Sequence, residues 1–191
     1  MSNNLQQAIK VLKQGGIVIF PTDTAFGIGC RIDDHAAVDR LFNIRKRPRT
    51  QAMPVLVSSI DQALPYLDTP SDIVRQLMKE YWPGALTIVA VCKKDRIYSP
   101  IRGSGETVGI RMPDHLGLRT VIAEVGVPIL GPSANIHGKA TPFLFEDLDP
   151  ELVAMVDFVL PGDCKKKVVS TVIDCSIDPN KIIRQGAVTL K

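Results

Sequence analysis

Four short polar stretches carry the residue types that bind anionic ligands: Thr22–Gly29, Arg45–Gln51, Gly131–Thr141 and Lys165–Thr171. Each follows or flanks an apolar run that reads as a strand, and open α/β sheets place ligands beyond the carboxyl ends of their strands. In the first, Ile17-Val18-Ile19-Phe20 ends abruptly in Pro21-Thr22-Asp23-Thr24-Ala25-Phe26-Gly27-Ile28-Gly29, a loop of hydroxyls, one carboxylate and glycines. In the second, Arg45, Lys46, Arg47 and Arg49 put four cations in five positions. Such a cluster suits phosphate, and it equally suits the carboxyl end of a helix dipole. The alternation Thr107-Val108-Gly109-Ile110-Arg111 sets Thr107, Gly109 and Arg111 on one strand face. An arginine there needs an anion. A ligand carboxylate or phosphate would serve through a bidentate fork, and a structural Asp or Glu would serve as well.

Other chemistries lack their residues. Gly131-Pro132-Ser133-Ala134-Asn135-Ile136-His137-Gly138-Lys139-Ala140 is no Walker A loop, because Ser133 stands where the first glycine belongs and Ala140 where a hydroxyl would hold magnesium. What remains is a strand end presenting Ser133 and Asn135 before a basic glycine turn, a cradle for phosphate or nucleoside or a capped turn. Ser170-Thr171 ahead of Val172-Ile173 repeats the arrangement. His137 has no predicted orienting partner, and no catalytic triad order or dinucleotide fingerprint occurs. Cys30, Cys92, Cys164 and Cys175 are scattered without a C-x-x-C pair and read as buried thiols. The net charge of +3 does not by itself imply nucleic acid, and Lys165-Lys166-Lys167 reads as a solvated face.

The elements that must position these residues follow from periodicity. Leu5, Ala8, Ile9 and Leu12 predict a helix stopped by Gly15-Gly16. Asp33 or Asp34 can cap a helix carrying Ala37, Val38, Leu41 and Phe42. Further helices are expected at 59–67, 71–81 and 115–125, with a short one late in the chain. Strands are expected at 17–20, 54–57, 86–92, 107–112, 128–131, 156–160, 170–174 and 181–185, and 93–106 reads as a mobile polar loop. Helices interleaved with strands give an α/β class, and 191 residues suit a single domain over 1–191. With 45% hydrophobic and 23% charged residues the composition is that of a soluble protein. No apolar run reaches the roughly 20 residues of a membrane span, and the N-terminus has no signal-peptide pattern, so no membrane association and a cytoplasmic location are expected.

Taken in order, these segments resemble the YrdC-like threonylcarbamoyl-AMP synthase (TsaC) family in its short, single-domain form. The matching pieces are Pro21–Gly29, Arg45-x-Arg47-Pro48, Trp82-Pro83-Gly84-Ala85-Leu86-Thr87, Thr107–Pro113, Pro132-Ser133-Ala134-Asn135, Ser170-Thr171-Val172-Ile173-Asp174 and Ile183-Arg184-Gln185-Gly186. The resemblance implies a twisted mixed β-sheet with flanking helices around a large basic cavity. It implies a nucleotidyltransferase that converts ATP, L-threonine and bicarbonate to threonylcarbamoyl-AMP and pyrophosphate, with Mg2+ carried by the ATP and no metal held by protein side chains. The product would feed N6-threonylcarbamoyladenosine formation at position 37 of tRNA, with tRNA-modification proteins as partners. By position, Thr24, Arg111, Ser170 and Thr171 would hold L-threonine. Arg45, Arg47, Thr107, Ser133, Asn135 and Arg184 would surround ATP. No covalent catalytic residue is implied; charge neutralisation by Arg47 and Arg111 would suffice. Arg45 stands where the family usually has lysine, Phe26 where it has tyrosine, and His137–Phe143 departs from the usual loop.

Two other readings use the same residues. One is an RNA-binding or ribosome-maturation module with weak RNA binding through the basic cavity, though aromatics form only 5% of the chain and do not interleave with its basic run. The other is a carbamoyl-transfer enzyme acting on a different donor.

Overall fold

Two helices pack side by side because both carry an apolar stripe. In the computed structural model, which describes residues 2–190, α1 (Asn3–Lys13) buries Ala8 and Leu12, and α5 (Leu116–Val125) buries Leu118, Val121, Ile122 and Val125. Together they cover Val18, Phe20 and Leu56 in one apolar cluster. Gly15, at φ +79°, ends the first helix in the left-handed conformation that glycine tolerates. His115 caps α5, its Nδ1 accepting from Leu118 N at 3.1 Å. Asp34, not Asp33, caps α2 (His35–Ile44) by accepting from Ala37 N at 3.0 Å. Asp33 instead pairs with Arg31.

The strands form two sheets. β1 (Val18–Phe20) pairs antiparallel with β2 (Gly27–Gly29) and parallel with β7 (Phe158–Val159). The larger sheet runs β6 (Ile129–Leu130), β3 (Val55–Leu56), β5 (Thr107–Arg111), β4 (Leu86–Val91), β8 (Thr171–Asp174), β9 (Lys181–Arg184). Its β3–β5 and β4–β8 pairs are parallel and the rest antiparallel, so the mixed α/β class holds. Bridges Gly27↔Ser133 and Arg31↔Ile129 stitch the sheets together. The main core fills with Phe26, Leu41, Phe42, Ile88, Val108 and Ile110, each at most 1% exposed.

Three expectations change. The stretch Pro21–Gly29 is not all loop, since its end forms β2. Glycines are poor strand formers, but here they permit contact: a Cβ at Gly29 would run into the Leu130 carbonyl, and one at Gly27 would lie 2.6 Å from the Phe20 ring. Segment 93–106 is anchored, with Ile97 and Ile101 at 1% and 0% exposure around a 3-10 turn, Ser99–Arg102. The helix expected over 59–67 is α3 (Ile60–Ala63) followed by a 3-10 turn at Leu64–Tyr66. Ser59 caps α3, whereas Ser71 makes no side-chain cap on α4 (Asp72–Tyr81). The late helix is α6 (Pro150–Ala154).

Candidate active site

A cavity of about 480 Å3 opens on one face of the larger sheet, within the range of small-molecule sites. Period-two alternation builds its floor: Thr107, Gly109 and Arg111 from β5, Thr87 and Val89 from β4, Val172 and Asp174 from β8. The intervening Val108 and Ile110 face the core. The β1–β2 turn contributes Thr22, Thr24 and Phe26, the stretch after α2 contributes Arg45 and Arg47, and the loop after β6 contributes Ser133. Ser170 and Arg184 close the remaining side. The lining holds four arginines and one carboxylate, Asp174, so most of its formal charges are positive.

Of the two partners that the sequence left open for Arg111, the structure supplies the carboxylate. Its Nη2 donates to Asp23 Oδ1 in a buried ion pair, and it also faces the cavity. Its Nε donates to Gly84 O at 2.9 Å and its Nη1 to Thr24 Oγ1 at 2.8 Å. Nη1 and Nη2 each carry a second hydrogen beyond these bonds. Burial pulls the Arg111 pKa down, and the Asp23 charge and hydrogen bond oppose that pull. Asp23 Oδ1 also accepts from Asp114 N at 3.2 Å, while Oδ2 has no hydrogen-bond partner among the described residues.

The opposite wall is built differently. Arg45 is only 2% exposed and has no carboxylate partner among the described residues. Its Nε donates to Asn135 O at 3.0 Å and its Nη2 to Asn135 Oδ1 at 3.1 Å. Burial, with the neighbouring Arg47 charge, pushes its pKa down to about 10. Arg47 grips two backbone carbonyls, Gln51 O at 3.1 Å and Ala52 O at 2.7 Å, and burial lowers its pKa too. Two adjacent cations held by neutral groups leave a field that an anion can neutralise.

Two residues expected in contact with ligand stand behind the wall. Asn135 is not among the cavity residues; its Oδ1 accepts from Ser133 Oγ at 2.6 Å and from Arg45, and its Nδ2 donates to Lys139 O at 2.6 Å. Its side-chain oxygen thereby holds Ser133 and Arg45, and its amide nitrogen holds the Lys139 carbonyl. Thr171, fully buried, donates to Val188 O at 2.6 Å and accepts from Gly186 N and Val188 N, which makes it a clamp on the chain after β9. Ser170, though buried, lines the cavity instead, its Oγ 3.0 Å from Thr87 Oγ1 and accepting from Arg184 Nη2 at 2.9 Å. Burial also lowers the Arg184 pKa. The remaining expected residues, Thr24, Arg45, Arg47, Thr107, Arg111, Ser133, Ser170 and Arg184, share the one cavity.

His137 lies outside the cavity residues with its Nδ1 3.4 Å from Arg47 Nη1, and Lys165–Lys167 are exposed as a solvated face. Thr87 and Asp174 also line the cavity, without a role expected from the sequence. The alternation Ser170, Val172, Asp174 on one strand face was the signal that could have found the second.

Comparisons with known proteins agree with this geometry. A family model named for Sua5, YciO and YrdC, described as telomere recombination, matches residues 10–186. A Bacillus subtilis threonylcarbamoyl-AMP synthase is 35% identical over 189 residues, covering 97% of this chain and 54% of the relative. A Vibrio vulnificus threonylcarbamoyl-AMP synthase is 32% identical over 189 residues, 97% of this chain and 100% of the relative. A crystal structure of Pyrococcus abyssi Sua5 complexed with L-threonine superposes with a TM-score of 0.90 at 30% identity, covering 95% of this chain and 54% of that one. The chain thus spans about half of the two longer relatives and all of the Vibrio protein. With the fold and nearly the whole sequence in agreement, this chain belongs to the Sua5/YciO/YrdC family.

Proposed function

We propose that the cavity makes threonylcarbamoyl-AMP and pyrophosphate from MgATP, L-threonine and bicarbonate. The observation that carries this reading is the convergence of Arg45, Arg47, Arg111 and Arg184 with Thr24 and Ser133 in one cavity. The names of the Bacillus and Vibrio relatives, and the L-threonine bound to the Pyrococcus protein, support it.

In this reading the threonine amine and bicarbonate condense to a carbamate with loss of water. A carbamate oxygen then attacks the α-phosphorus of ATP as the bond to pyrophosphate breaks, which makes the enzyme a nucleotidyltransferase. The carbamate and the triphosphate repel each other, so holding them in line and neutralising charge supplies most of the acceleration. Arg111, Thr24 and Ser170 hold L-threonine. Arg45, Arg47, Thr107 and Arg184 surround the nucleotide, and Asn135 acts from behind. Because the Ser133 hydrogen is directed at Asn135, Ser133 offers lone pairs and suits a donor such as a ribose hydroxyl better than a phosphate oxygen. The product would pass to tRNA-modification proteins in the cytoplasm.

The test is pyrophosphate release from ATP and bicarbonate with and without L-threonine. Release should depend strictly on threonine, with serine a poor substitute. Release that ignores the amino acid would overturn the assignment.

A further inference from the structure

Gly109 stands in the interior of β5, between β3 and β4, where glycine weakens a strand. A bulge, a positive φ or the close approach of other protein atoms would each call for it. None applies. The ladders on both sides of β5 run without a register shift, and Gly109 is not among the positive-φ residues. A Cβ there would lie 3.4 Å from Thr87 Cγ2 and 3.7 Å from Val89 Cγ2, which are ordinary contact distances. At Gly27, Gly29, Gly131 and Gly186 it would instead strike protein atoms. The protein's own packing would thus accept alanine at 109. The remaining reason for a strand glycine is a ligand that comes close, and Gly109 lines the cavity.

The strip of floor around it crosses the sheet from Pro54, just before β3, through Gly109 and Val89 to Asp174. Val89 pairs with Gly109 on one side and Asp174 on the other, so two strand spacings, about 10 Å, separate glycine from carboxylate. At the Pro54 end Arg47 holds Ala52 O. At the far end the turn after β8 uses one oxygen of Asp174: Oδ1 accepts from Ser176 N at 2.9 Å and Ser176 Oγ at 2.6 Å. Oδ2 has no hydrogen-bond partner among the described residues. A carboxylate repels phosphate and accepts from N–H groups.

We infer that Gly109 and Asp174 make this strip a berth for an amino-bearing nucleobase. The ring lies flat over Gly109 and Val89, and its exocyclic amine donates to Asp174 Oδ2. This rests on the proposed use of ATP and adds the two residues that select its base. The phosphates then lie toward Arg45 and Arg47, away from the carboxylate. A puckered sugar has no need of a bare backbone beneath it, so the glycine favours the base over the ribose.

The experiment measures binding of ATP, ITP, 2′-deoxy-ATP and inorganic tripolyphosphate to the wild type, Gly109→Ala and Asp174→Asn, with thermal unfolding of each. ITP carries a carbonyl oxygen in place of the adenine amine. The wild type should bind ATP at least about tenfold more tightly than ITP, the worth of a hydrogen bond to a charged group. It should bind 2′-deoxy-ATP about as well as ATP. Gly109→Ala should unfold at no lower temperature, weaken ATP by about tenfold and leave tripolyphosphate nearly unchanged. Asp174→Asn can keep its oxygen on Ser176 and turn its amide hydrogens to the base, so the preference for ATP over ITP should vanish or reverse. Equal wild-type affinity for ATP and ITP would overturn the inference, and a loss confined to 2′-deoxy-ATP would give Asp174 to the ribose instead. Normal ATP binding by Gly109→Ala, or an equal loss of tripolyphosphate, would also overturn it. So would a marked loss of stability in that variant, because the fold itself would then require the glycine. A wild type that binds none of the three nucleotides would instead remove the proposed substrate, and this inference with it.

Discussion

The two ends of the cavity handle positive charge in opposite ways. At the β5 end, Arg111 is paired with a buried carboxylate and fixed by Gly84 and Thr24. At the other wall, Arg45 and Arg47 lie together, held by carbonyls, an amide and a sulfur, with no carboxylate bonded to either among the described residues. A compensated cation is rigid and adds little net field, which suits a zwitterion. An uncompensated pair carries a standing field, which suits a polyanion such as a triphosphate. On the proposed function, the ion pair at one end and the bare cations at the other would sort two substrates of different net charge into adjoining places.

Breaking the compensated end should have the largest effect. Arg111→Ala strands Asp23, which is 1% exposed, and removing one member of a buried pair costs about 3–5 kcal/mol. Denaturant unfolding should show that loss, and threonine-dependent turnover should fall by roughly 100-fold or more. Adding Asp23→Asn should restore much of the stability and none of the turnover. If it restored neither, the pair would not be what holds this end.

At the uncompensated wall the signature should reverse. Arg47→Ala removes a half-buried cation and two bonds to carbonyls without stranding a charged partner, so stability should change by no more than about 1 kcal/mol. The KM for ATP should rise roughly tenfold, the worth of a charge-assisted contact, while the KM for threonine stays nearly constant. A matching rise in both would erase the division between the ends.

The smallest effect concerns pH. Burial lowers the His115 pKa below its ordinary 6.5, against the opposing pull of Asp23. Between the folded value and 6.5 the unfolded chain holds more protons, so stability rises with pH across that window and is lost as pH falls through it. Unfolding measured between pH 7 and pH 5 should show this slope. His115→Asn, which can still cap α5, should flatten it. An unchanged slope would place its origin elsewhere.

Much of this architecture was legible in the residue pattern. Alternation on β5 gave the face shared by Thr107, Gly109 and Arg111, and apolar spacing gave α1 and α2. What escaped depends on contacts between distant residues. Asp23 and Arg111 are 88 positions apart, and nothing local pairs them. Asn135 reads as a ligand-binding side chain until Arg45 and Ser133 are seen to occupy it. Thr171 and Ser170 look interchangeable in the chain, and only the return of residues 186–188 decides which one is covered. β2 was hidden because glycine signals a turn, whereas here it admits a neighbouring backbone.

The close approach at Gly29 makes the two sheets a gauge. A single methyl there would act as a wedge against Leu130, prying the small sheet off the large one along the seam that joins Gly27 to Ser133. Because Thr24 rides on one sheet and Ser133 follows the edge strand of the other, the spacing between the proposed amino-acid and nucleotide places would be calibrated by a side chain that is missing.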